Sequence, residues 1–114
     1  MDINELKEHL RRTISLKLEL KELKSNGLFK LSDYLKRFHR SLIDTDFGER
    51  DKFWLPYWDT SKELEELLHI DTNKLNSQFS ANKTKLLAIV NRHIKGLQLG
   101  FREYDLESPL TRDN

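Results

Sequence analysis

The chain contains no cysteine, which excludes disulfide bridges and thiolate metal sites alike. Long hydrophobic runs are missing too: the longest unbroken apolar stretch, residues 86–90, falls far short of the roughly 20 residues that cross a bilayer. No membrane partner is therefore expected. The opening residues Met1, Asp2, Ile3, Asn4 and Glu5 are polar and acidic and lack the apolar centre of a secretory signal, so a cytoplasmic location is expected. Also absent are a nucleophile elbow, a glycine-rich phosphate cradle, a dinucleotide fingerprint and zinc-finger spacing. No arginine has a histidine at the Arg-x4–6-His spacing used by some small helical nucleases. Neither an enzyme nor a cofactor is expected from these residues.

Net charge of one dominant sign is a further absence, since the whole chain sums to +1. That near-neutrality hides a segregation. Residues 72–102 carry six basic side chains and no carboxylate, whereas residues 44–71 carry nine acids against three bases. Either the basic stretch meets an anionic partner or the two blocks answer each other across a fold or an oligomer. At 114 residues the chain is read as one helical domain, 1–114, with a charged fraction of 34% spread over a small core. Residues 107–114, with Pro109, read as a frayed tail.

Helical periodicity organises the rest. Asp2 and Glu5 form a capping box that opens a first helix at about 3–24. Ile3, Leu6, Leu10, Ile14 and Leu18 fall on one side of it, and Leu16, Leu20 and Leu23 on nearly the opposite side. A helix apolar on two faces belongs at the centre of a bundle or at an oligomer interface. The same residues also alternate over 13–21, as a strand would, and could pair with 97–102. Leu, Lys and Glu favour the helix, so the α+β arrangement is kept as the alternative. Gly27 is placed at the left-handed stop of this first helix. Leu28, Leu31, Leu35, Phe38 and Leu42 then step by 3, 4, 3, 4, a seam for a second helix at about 28–43. Pro56 is taken to forbid a continuous helix through the aromatic cluster of Phe47, Phe53, Trp54, Tyr57 and Trp58. Thr60 with Glu63 would cap a short helix to about Ile70, Asp71 or Thr72 a further turn, and a last helix would run from about 81 to 99 with Gly100 as its stop. The expected fold is all-α: a small antiparallel four-helix bundle with an aromatic crossover loop.

Histidines and carboxylates give little. Glu66 and His69 match one Glu-x-x-His step, but a di-iron bundle needs two, so no metal site is expected. His93 edges the stripe of Leu86, Val90, Ile94 and Leu97 and reads as a half-buried core residue with one nitrogen satisfied. Two functional classes remain. The favoured one is a non-enzymatic protein–protein interaction module, self-associating as a homodimer through Leu16, Leu20 and Leu23 together with Trp54 and Trp58. The alternative is a nucleic-acid-binding regulator or accessory protein using Lys36, Arg37 and Arg40 on the second helix and Lys85, Arg92 and Lys95 on the last.

Overall fold

The computed structural model describes residues 2–49 and 52–107, and among these there are helices and turns but no strand. In chain order the elements are α1 (Ile3–Glu22), α2 (Leu31–Asp44), α3 (Trp54–Leu68), α4 (Thr72–Ser77) and α5 (Phe79–Glu107). The all-α expectation holds and the strand alternative for 13–21 and 97–102 is overturned, since both segments are helical. Of the expected tail, residues 108–114 lie outside the described residues, and Glu107 closes α5.

Asp2 caps α1 by accepting the Asn4 N–H at 2.9 Å. The buried stripe of α1 is Leu6, His9, Thr13, Leu16 and Leu20, continued by Leu23 just past the helix. Its 3-4-3-4 spacing is a single bundle seam. The two apolar faces expected for this helix were a consequence of leaving His9 and Thr13 out. With them included, Leu16, Leu20 and Leu23 join Leu6 on one stripe, while Leu10 and Ile14 flank it and Leu18 faces solvent. The far end of α1 is closed from a distance: Lys83 Nζ donates to the carbonyls of Lys21 (2.9 Å) and Leu23 (2.8 Å). A cation there suits the negative end of the helix dipole.

Helix α2 begins three residues later than the seam predicts. Its first turn is fixed by the Lys30 N–H donating to Asp33 Oδ2 at 2.9 Å, which leaves Leu28 outside the helix and 97% exposed. From Leu31 onward the seam is as expected, with Leu31, Leu35, Phe38 and Leu42 buried. Gly27 is not left-handed; Gly48, at φ 70°, is the glycine that is. There Asp46 Oδ1 accepts the Gly48 N–H at 2.9 Å and turns the chain toward α3.

The aromatic crossover is itself a helix. Pro56 occupies the first turn of α3, where its missing N–H breaks no intrahelical bond. Thr60 consequently lies mid-helix and buried rather than capping a new one. Asp71 does cap α4, accepting from the Asn73 N–H at 3.1 Å. Helix α5 runs straight through Gly100, whose role is close approach rather than termination: a Cβ there would sit 2.7 Å from the Phe53 ring, and one at Gly96 would sit 2.9 Å from Pro56. The two glycines let the start of α3 lie against α5.

Helix α5 packs most extensively on α3 and α1, and α2 also packs on both of these. The four long helices therefore form a ring, α1–α2–α3–α5, with α2 and α5 across one diagonal. The molecule is elongated, 51 × 24 × 19 Å. Substituting Gly100→Val should destabilise the fold by about 1–3 kcal/mol, because Phe53 is fully buried and has no room to yield. Chemical denaturation checks this, with the exposed Gln98→Ala as a neutral control on the same helix.

Candidate functional site

Each long helix contributes one polar side chain to a single layer inside the bundle. Ser41 of α2 contacts His9 Nδ1 of α1 at 2.7 Å. His9 Nε2 faces His93 Nε2 of α5 at 2.8 Å, and His93 Nδ1 lies 2.8 Å from Thr60 Oγ1 of α3. Both rings are fully buried. Phe47 packs edge-on against each, at centroid distances of 5.1 and 5.9 Å, and Phe38 covers His93 at 5.5 Å. Two neutral imidazoles meeting nitrogen to nitrogen can share one proton only. The direction of the run follows the tautomers, and either direction satisfies it because the Ser41 and Thr60 hydroxyls can each donate or accept. Arg12 Nε, 3.4 Å from Ser41 Oγ, completes the run from the surface.

His93 is thus more buried and better satisfied than its sequence position suggests, and His9 carries no sequence cue beyond its place at a seam position. His69 stands apart, its Nδ1 2.7 Å from the Glu65 carbonyl oxygen. Among the described residues no group of three or more His, Cys, Asp or Glu side chains is disposed to hold a metal.

The interface expected from sequence is not assembled. Leu16, Leu20 and Leu23 are 4, 0 and 8% exposed, covered by their own chain, so they present no spare apolar face. Trp54 and Trp58 lie at the other end of the bundle. The first turns of α3 meet α5 at Gly96 and Gly100, whereas Leu23 meets it at Lys83. The two indoles stack along α3, Trp54 lying against Tyr57 at 5.3 Å and Trp58 at 6.0 Å, with Lys62 Nζ 5.0 Å from the Trp58 ring centre. Tyr57 packs on Phe47 at 4.8 Å, which ties this row to the histidine layer. Trp58 remains 45% exposed.

The six basic residues are divided between two helices. Lys36, Arg37 and Arg40 lie on α2 and Lys85, Arg92 and Lys95 on α5, across the bundle diagonal. Arg37 donates to Glu19 at 2.9 Å, Arg92 is bonded to Glu63, and Lys85 stands 3.7 Å from Glu66. The acidic and basic blocks of the sequence therefore answer each other within the fold, along the α3–α5 face.

Two of the concavities among the described residues bear on function. One is an open, largely apolar groove of about 590 Å³ where α1 turns into α2, lined by Leu18, Leu23, Leu28, Phe29 and Tyr34 with Glu22 and Lys24 among its charged residues. The other is a cleft of about 430 Å³ between α3 and α5, with Pro56, Thr60, Gly96 and Gly100 at its base and Leu55, Asp59, Leu99 and Glu103 exposed around it. Comparison with known proteins returned no matching family model, curated protein or solved structure.

Burial holds His9 down to a pKa of about 3, helped by the charges of His93 and Arg12. Burial likewise lowers His93 to about 4, with the Pro56 carbonyl pulling the other way. The unfolded chain takes up these protons near the ordinary value of 6.5, so between there and pH 4 it binds more protons than the fold does. Stability is accordingly full above about pH 6.5 and falls as the solution is acidified. By pH 5 each histidine should have lowered stability by about 2 kcal/mol. Urea unfolding at pH 7.5 and 5.0 measures the difference, and replacing both histidines by leucine should flatten it.

Proposed function

We propose that the chain is a non-enzymatic helical interaction module that self-associates through the groove at the α1–α2 connection. The observation that carries this reading is the exposure of Leu28 and Phe29, 97% and 65%, beside the half-lined hollow of Leu18, Leu23 and Tyr34. Contiguous exposed apolar surface of this kind marks a docking site more often than a solvated face. The occupant is a second copy. Projection and hollow belong to one patch, so a two-fold contact seats Leu28 and Phe29 of each copy in the groove of the other. Glu22 and Lys24 border the same groove, so charges of both signs are available to pair across such a contact. Self-association keeps its place as the favoured reading, while its carriers move from Leu16, Leu20, Trp54 and Trp58 to this patch.

Nucleic-acid binding through Lys36, Arg37, Arg40, Lys85, Arg92 and Lys95 has less support. Three of those cations are already paired with carboxylates, and the six are divided between α2 and α5. A phosphate backbone needs them clustered and co-directed.

Sedimentation over a protein concentration series tests the proposal. The wild-type chain should shift toward dimer as concentration rises, and Leu28→Asp with Phe29→Asp should hold it as a folded monomer. Trp58→Asp should leave the dimer intact. A wild-type chain that stays monomeric, or a double variant that still dimerises, overturns the reading.

A further inference from the structure

We infer that the α3–α5 cleft is a binding site for a linear aliphatic diamine, gripped at each end by a carboxylate with its methylene chain between Leu55 and Leu99. The volume, about 430 Å³, lies within the range of small-molecule sites. Its base is built of small or rigid residues, Gly96, Gly100 and Pro56, and the one hydroxyl there, Thr60, is already committed to His93. The depth of the cleft thus offers an occupant mainly contact surface, and its charged side chains stand at the rim, which favours a molecule with an apolar middle and charged ends.

The sign of those ends follows from the rim. Three carboxylates, Asp59, Glu63 and Glu103, line the cleft against two cations, Lys52 and Arg92. Arg92 is neutralised by Glu63, and Lys52 has a contact of its own. Asp59 and Glu103 have no ion-pair partner among the described residues. The packing register places these two acids at opposite ends. Gly96 meets Pro56 and Gly100 meets the Lys52 carbonyl, so α3 and α5 run antiparallel here. Asp59 lies one turn beyond Pro56 in one direction, and Glu103 one turn beyond Gly100 in the other. At 1.5 Å per residue the two levels stand ~15 Å apart along the cleft. Leu55 and Leu99, both more than half exposed, occupy the interval. Two separated anions bracketing an apolar trough match a chain that carries an ammonium at each end. Covering Leu55 and Leu99 would also remove two of the large hydrophobic side chains that now face water.

Isothermal titration with α,ω-diaminoalkanes from 1,4-diaminobutane to 1,12-diaminododecane tests this. Binding should be saturable and tighten by about two- to fourfold per added methylene until the chain matches the spacing, then level off or weaken. The monoamine of the best length should bind about fivefold to tenfold more weakly, and the matching dicarboxylate should give no saturable heat. Asp59→Asn and Glu103→Gln, both at exposed positions, should each reduce the diamine to monoamine affinity while leaving the helical circular dichroism unchanged. Amide shifts in NMR should cluster around residues 52–63 and 92–103. Equal binding of the dicarboxylate, indifference to the two neutralised acids, or shifts centred instead on Leu28 and Phe29 would overturn the assignment. Because Leu28→Asp with Phe29→Asp leaves this cleft untouched, its outcome is independent of whether the chain dimerises.

Discussion

A nitrogen-to-nitrogen contact in the middle of the bundle, His9 against His93, sets the terms on which the helices pack. Leaving a buried polar group without a partner costs on the order of 1–3 kcal/mol, a large share of a typical total stability of 5–15 kcal/mol. Ser41, His9, His93 and Thr60 each depend on another helix for their hydrogen bond, so the layer is satisfied in one register only. Sliding a helix by one turn, about 5.4 Å, would keep leucine against leucine but would strand a ring nitrogen. Apolar seams tolerate such shifts; this layer does not. Its surroundings fit that role, since Phe38 and Phe47 close over the rings and exclude water.

How far the sequence disclosed this can be followed residue by residue. The α2 seam from Leu31 to Leu42 was legible because every seam position is apolar, and periodicity then speaks for itself. The α1 seam was not, because His9 and Thr13 occupy core positions and an apolar count passes over them. Omitting two members of one stripe made a single face look like two, and the expectation of an interface at Leu16, Leu20 and Leu23 followed from that miscount. Pro56 misled for a different reason: proline breaks a helix interior but not a first turn, and only the position of the helix start separates the cases. Gly100 looked like a terminator when its lack of a side chain serves contact with Phe53, a partner 47 positions earlier that no local pattern reveals.

The candidate sites divide along the same line. The charge blocks were visible in the sequence, and their mutual neutralisation along α3 and α5 agrees with one of the two readings they allowed. The groove at the α1–α2 connection arises because α2 starts at Leu31 and leaves Leu28 and Phe29 outside it, a matter of one helical turn. The α3–α5 cleft has no sequence signature at all, being the joint product of two glycines and a proline that belong to different helices.

The Lys83 clamp on the end of α1 has a bearing on how the chain is made. The carbonyls of Lys21 and Leu23 receive their donor from a residue 62 and 60 positions downstream, and His9 waits 84 positions for His93. During synthesis from the N-terminus, the α1–α2 hairpin emerges with His9 Nε2 unmatched and its carbonyl end open. Closure falls to α5, so any nascent chain halted before residue 93 presents an unlocked hairpin to chaperones and proteases.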